Sequence, residues 1–264
     1  MLMGIVNVTP DSFSDGGQFP GPREAVEHAE RLVQDGATIV DIGGESTRPG
    51  SDPVPAGQEI GRVVPVIDAL MSKVPSAIVS IDTRKTVVAR AAISAGACIV
   101  NDVSAASDAG MLDLVRESRA GLILMHMMGD PKTMQVDPQY DDVVGEVRGF
   151  LAVRLAAAEE AGIARDRLCV DPGIGFGKNL EHNLSLLHSV GSFRHLGVPV
   201  AAGVSRKRFI GQLTSTEETA DKDDGTAGAV AWCATQRIDI QRVHDVKAMS
   251  RVVSVVDAIM RGTT

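Results

Sequence analysis

The chain has 264 residues, 44% of them hydrophobic and 23% charged, and a net charge of −8. That length suffices for one sizeable core and lies near the roughly 250 residues typical of a (β/α)8 barrel. With no basic tract to offset it, the acidic balance excludes non-specific binding to nucleic acid or to an anionic membrane surface, while a small anion still fits wherever a few cations gather.

Trp232, Tyr140 and six Phe are the only aromatics, so the core has to be built from Val, Ile, Leu, Ala and Met, the usual material of parallel strands under helices. Cys98, Cys169 and Cys233 share no metal-ligand spacing and read as buried, reduced thiols of a cytosolic protein. No apolar run reaches the roughly 18 residues of a membrane span, and no export signal opens the sequence. The expected location is the cytoplasm.

In chain order the sequence repeats one unit: a short apolar run, a polar or glycine loop, then a longer amphipathic stretch. Residues 2–7, 38–42, 77–81, 98–101, 122–125, 168–170, 198–202 and 240–243 read as strands. Residues 22–35, 57–72, 86–95, 142–161 and 246–261 read as helices. Eight such units without a linker predict a single domain over residues 1–264, a closed (β/α)8 TIM barrel. An open doubly wound sheet is the alternative, and no dinucleotide-type glycine loop supports it. Residues 12–20 and 43–56 form loops longer than the usual 2–6 residues or so, the length of working lids or binding arms. Residues 214–225 read as a third irregular, acidic surface stretch.

Chemistry concentrates where strands end. The run Asp171-Pro172-Gly173-Ile174-Gly175-Phe176-Gly177-Lys178 follows an apolar strand, so a carboxylate is delivered into a loop that Pro and alternating Gly hold open. Corresponding positions elsewhere are Asn7, Asp41, Asp82, Asn101, His126, Ser205 with Lys207, and Arg242 with His244. Packing does not require polar groups at every strand end. Asp41, Asp102 and His126 are the ones expected merely to hold loops.

The remainder divide by chemistry. Asp82, Asn101, Asp171 and Lys207 suit a flat heterocycle with adjacent donors and acceptors, since a buried carboxylate can accept two parallel N–H bonds from a ring edge. Asn7, Thr47, Arg48, Arg242 and His244 resemble an oxyanion or phosphate clamp. Arg242 and His244, two apart, are expected on the same side of their strand. Gly177-Lys178 looks like the end of a Walker loop, but Pro172 and Asn179 stand where Gly and Ser or Thr are needed. His28, His182, His188 and His195 fall on expected helices and read as surface or core histidines.

Several of these segments match known signatures. Residues Asn7 to Gly17 (NVTPDSFSDGG) and Gly43 to Gly50 (GGESTRPG) resemble the first two motifs of the dihydropteroate synthases. Ser80-Ile81-Asp82-Thr83, Val100-Asn101-Asp102, Leu124-Met125-His126-Met127, Asp171 through Lys178, Ser205-Arg206-Lys207 and Arg242-Val243-His244-Asp245 continue the likeness in order over nearly the whole chain. Such enzymes often carry a short leader before the first strand, and this sequence opens directly on that strand.

The resemblance implies condensation of 6-hydroxymethyl-7,8-dihydropterin diphosphate with p-aminobenzoate, assisted by Mg2+, to give 7,8-dihydropteroate and pyrophosphate. It implies that Asp82, Asn101, Met125, Asp171 and Lys207 hold the pterin, and that Asn7, Thr47, Arg242 and His244 meet the diphosphate. Phe13, Thr47, Pro49, Phe176, Ser205 and Lys207 would line the p-aminobenzoate pocket, Asn7 and Asp15 would reach the metal, and Asn7, Asp82, Asp171, Lys207, Arg242 and His244 would carry catalysis. It also implies a homodimer, through helices of the second half, and sensitivity to sulfonamide mimics of p-aminobenzoate. A pterin-binding methyltransferase of the same fold and a catalytically silent pterin-binding protein are the alternatives.

Overall fold

Short runs rich in Val, Ile and Leu form eight strands: β1 (Leu2–Asn7), β2 (Ile39–Gly43), β3 (Val79–Asp82), β4 (Ile99–Asp102), β5 (Gly121–Met125), β6 (Leu168–Asp171), β7 (Ala201–Gly203) and β8 (Ile240–Val243). The computed structural model describes residues 1–9, 22–47, 50–216 and 222–262. Helices α1 (Pro22–Gln34), α2 (Ala56–Lys73), α3 (Thr86–Ser94), α4 (Met111–Ser118), α5 (Val143–Glu160), α6 (Leu180–His188), α7 (Arg208–Thr214), α8 (Asp223–Thr235) and α9 (Val246–Arg261) alternate with them. All strand pairs are parallel, in the order β6, β5, β4, β3, β2, β1, β8, β7. A single bridge, Val170 to Val200, brings the two outer strands together and closes the expected (β/α)8 barrel.

The period-two alternation of a strand sorts side chains to two faces. Met3, Ile39, Ile123, Cys169, Ala201 and Ile240 fill the barrel interior as one cluster. Their neighbours, among them Val40, Ile81, Val100, Leu122 and Val170, join the larger core between the sheet and the helices. Towards the carboxyl ends the inward position on most strands is polar or small, giving Asp41, Asp82, Asn101, Asp171, Gly203 and Arg242, with Met125 on β5 the apolar exception. The floor of the barrel is therefore apolar and its mouth charged.

The structure corrects four expectations. The seventh strand begins at Ala201, after the expected start, because Pro199 lacks an N–H and its carbonyl only accepts from Val170 N, at 3.0 Å. The third strand begins at Val79, since Ala77 N–H donates back to Val74 O in a turn. Within 214–225, Thr214 closes α7 and Asp223–Gly225 open α8, where Asp223 and Asp224 occupy the dipole-favoured first turn. Cys98 is exposed just ahead of β4, outside the cover of the helices, whereas Cys169 and Cys233 are buried. Among the described residues no helix is long and apolar enough to cross a membrane.

Candidate active site

At the mouth, Arg242 stands between two carboxylates: its Nε donates to Asp41 Oδ2 at 2.6 Å and its Nη2 to Asp82 Oδ2 at 2.8 Å. Asn101 Nδ2 adds a bond to the same Asp41 oxygen at 3.0 Å. Asp41, fully buried, thus belongs to the site and is more than a loop anchor. The other oxygen of each acid, Asp41 Oδ1 and Asp82 Oδ1, is buried without a hydrogen-bond partner among the described residues. A buried acceptor left open is costly, and a ligand N–H relieves that cost.

Asp171 is held by its own loop. Pro172 ends the ladder, and Gly173 turns back so that its N–H donates to Asp171 Oδ1 at 2.7 Å. Gly173 has φ +67°, and a Cβ there would lie 1.9 Å from the carbonyl oxygen of His126, so only glycine fits. A Cβ on Gly175, at φ +83°, would press on Lys207 Cδ at 3.1 Å. The alternating glycines let the loop run directly beneath the Lys207 stem. Lys207 Nζ in turn sits 4.0 Å above the Phe176 ring centroid, a cation–π distance.

The second long loop is fastened by buried charges. Glu45 accepts from Lys85 Nζ at 2.6 Å, Val54 N at 2.7 Å and Arg84 Nε at 3.1 Å. Lys85 also donates to Glu59 at 2.5 Å and to Val54 O at 2.7 Å, and Thr83, next to Asp82, donates to Glu59 at 2.7 Å. Both ends of the loop are therefore tied beside β3, and Thr47 is carried to the mouth.

The groups at the mouth line a pocket whose free space, counted together with the solvent at its opening, is about 340 Å³. Asp82, Asn101, Met125, Asp171 and Lys207 all line it, as do Thr47, Phe176 and Arg242. It opens into a wide cleft whose walls include Asn7, Thr47, Phe176, Ser205, Lys207, Arg242 and His244. His244 Nδ1 lies 3.0 Å from Ser205 Oγ, so this pair faces the cleft while Arg242 turns inward to the acids. Arg242 and His244 both reach the wall of this one cleft, in keeping with their two-residue spacing, although β8 itself ends at Val243. Phe13, Asp15, Arg48 and Pro49 lie outside the described residues. Asp102 does hold a loop, accepting from Ser104 N and Oγ, each at 2.7 Å, and from Ala106 N at 3.1 Å.

Burial shifts the charges in a consistent way. Desolvation raises Asp82, with the Arg242 guanidinium opposing and Asp41 reinforcing the shift, and desolvation likewise raises Asp171 against the pull of the Gly173 N–H. Burial lowers Lys207 to about 8, partly countered by the Asp171 carboxylate. Burial works against the Arg242 charge too, but Asp41 and Asp82 outweigh it and raise its pKa. The mouth thus holds a fixed cation, a titratable cation and carboxylates reluctant to ionise.

Lys178 is a site residue that sequence reasoning passed over as a Walker look-alike. It is buried, lines the cleft, and donates to His126 Nδ1 at 3.0 Å and to Phe176 O at 2.9 Å. Burial lowers it to about 7, and burial together with the adjacent ammonium pushes His126 down to about 3, so the imidazole is the neutral acceptor. Phe176 is only two residues away, but His126, just after β5, is 52 positions distant, and no local pattern signals it.

Carboxylate acceptors, an amide and an ammonium around a methionine-floored slot can read the edge of a flat nitrogen ring, and the cleft alongside can take an anion. Comparison with known proteins agrees. The pterin binding enzyme family matches residues 3–244. A dihydropteroate synthase of Escherichia coli K12 is 44% identical over 98% of this chain and 91% of its own length. The chain belongs to the dihydropteroate synthase family of pterin-binding enzymes.

Two solved dihydropteroate synthase structures from Xanthomonas albilineans extend the likeness to three dimensions. The one with 4-aminobenzoic acid has a TM-score of 0.93 at 47% identity, covering 98% of this chain and 92% of that one. The one in complex with 7,8-dihydropteroate has a TM-score of 0.90 at 45% identity, covering 98% and 93%. The dihydropteroate synthases to which this chain is similar are transferases.

Proposed function

We propose that this chain joins 6-hydroxymethyl-7,8-dihydropterin diphosphate to p-aminobenzoate, releasing pyrophosphate. The observation that carries the reading is that Asp171 and Arg242 line one cavity, with the open oxygen of Asp82 beside them. A flat ring seated there meets acceptors along its amino edge and Met125 against its face, and its methylene points toward the cleft. The X. albilineans complexes with 4-aminobenzoic acid and 7,8-dihydropteroate support both substrate classes.

The amine of p-aminobenzoate is neutral near pH 7 and needs no strong base. The difficult event is departure of the diphosphate, which breaks the methylene C–O bond and leaves a cation conjugated with the ring. Asp82 and Asp171 stabilise that positive charge, while the cationic side of the mouth and Ser205–His244 stabilise the leaving anion. The amine nitrogen then bonds to the methylene carbon and gives up its proton. We read the displacement as dissociative.

Among the described residues no group of three His, Cys, Asp or Glu is placed to hold a metal by itself. Magnesium commonly takes one or two protein oxygens plus substrate phosphates and water, and the Asn7 amide oxygen on the cleft wall fits that role. When bound with the substrate, Mg2+ would neutralise the diphosphate charge. The exposed face of α9, with Val255 and Ile259 59% and 73% accessible, suits a homodimer contact, and the proposed location is the cytoplasm.

A coupled pyrophosphate assay tests the reading. Sustained release that depends on both substrates and Mg2+, with detectable pyrophosphate from the pterin diphosphate and Mg2+ alone as a dissociative displacement demands, is expected, and it should fall at least about 100-fold in Asp171→Asn. Pterin binding without pyrophosphate release would refute synthase activity, and methyl transfer in its place would establish the related enzyme class.

A further inference from the structure

The reaction just proposed makes no use of Lys178, although it is among the most deeply buried charged groups of the mouth, at 2% exposure. Its hydrogen-bond partners, His126 Nδ1 and the Phe176 carbonyl, are both neutral. Asp171 acts on it only through longer-range attraction, with Lys207 opposing. A buried ammonium with neutral partners is costly, and a methionine would fill similar volume at less cost.

What the lysine does locally is visible in the loop. Three successive carbonyls of the glycine segment are each tied by a donor from outside it or across it. Gln135 Nε2 holds Gly175 O at 2.8 Å, Lys178 Nζ holds Phe176 O at 2.9 Å, and Tyr140 Oη holds Gly177 O at 2.9 Å. The middle tie is the charged one, and it fixes the residue whose ring lies 4.0 Å beneath Lys207 Nζ. His126 is itself set edge-on against Phe150, with ring centroids 4.9 Å apart.

We propose that the His126–Lys178 pair is a positioning device for the p-aminobenzoate side of the site. It acts through the Phe176 backbone to set the Phe176 ring and, through that ring, the Lys207 ammonium between the two substrates. This rests on the synthase reading above, which the wild-type enzyme tests separately.

Lys178→Met keeps the bulk and removes the tie. It should raise KM for p-aminobenzoate about tenfold, the scale of one lost bond to a charged donor, with kcat within about threefold. Calorimetric binding of p-aminobenzoate in the presence of pyrophosphate should weaken in parallel. His126→Gln retains an acceptor for the ammonium and should stay within about threefold of wild type, whereas His126→Phe should behave like Lys178→Met. Unchanged KM in Lys178→Met, or a fall confined to kcat, overturns the proposal. If Lys178→Met does not fold, His126→Phe decides, and wild-type KM there overturns it equally. An inactive wild type would instead sink the synthase reading.

Discussion

Removing Arg242 provides the most direct test of how the mouth is held together. Arg242→Met leaves Asp41 and Asp82 buried and facing each other without the cation that now bridges them at 2.6 and 2.8 Å. Breaking a buried pair from one side costs about 3–5 kcal/mol. At about 2–4 °C per kcal/mol for a domain of this size, the melting temperature should fall by roughly 10 °C near neutral pH.

The loss should also depend on pH, and the sign can be worked out. Burial already raises Asp82 above the roughly 3.9 of an unfolded Asp, and without Arg242 it loses the guanidinium that opposes the shift. Such a group costs nothing below its unfolded pKa, and its penalty grows until pH passes its folded value. The deficit against wild type should therefore be small near pH 5 and widen above about pH 7, where Asp82 ionises beside Arg242 in the wild type but is held neutral to higher pH in the variant. Adding Asp41→Asn to Arg242→Met should recover part of the loss, since it removes one uncompensated charge. Thermal unfolding of the wild type, both single variants and the double variant across that range is the assay. A pH-independent deficit, or none at pH 8, would refute the bridged-acid arrangement.

Three further outcomes follow from the same geometry. Because Lys207 sits near 8, KM for the pterin diphosphate should climb as pH rises past that value and the ammonium is lost; Lys207→Arg, which stays charged, should lack this limb up to about pH 9. Gly173→Ala forces a Cβ to 1.9 Å from the His126 carbonyl at φ +67°, so it should cost at least about 1–3 kcal/mol in backbone strain alone, and a wild-type melting curve would contradict the loop geometry. Lys85→Met strands Glu45 and Glu59, so limited proteolysis should begin to cut between Glu45 and Val54, and an uncut loop would show that the buried charges do not fasten it.

The barrel was legible because its signal is local. Most apolar runs end in a polar residue at the same phase, and parity along a strand is enough to place Asp82, Asn101, Asp171 and Arg242 on the inner wall. What the sequence concealed is long-range. Asp41 reads as a loop holder until its partner, Arg242, arrives from 201 positions further along the chain. Lys178 reads as a loop lysine because its side-chain partner, His126, lies 52 positions back along the chain. The late start of β7 was signalled by Pro199, whose missing donor a pattern of hydrophobicity does not register. Cys98 is apolar in sequence context but lies on the uncovered rim ahead of its strand.

The barrel closes between β6 and β7 through one bridge only, Val170 to Val200, where every other neighbouring pair of strands shares three or more paired positions. Asp171 ends one bank of that seam and Lys207 follows the other. A ligand gripped by both would act as a rivet across the weakest joint of the wall, so occupancy of the pocket and mechanical integrity of the barrel are one and the same property.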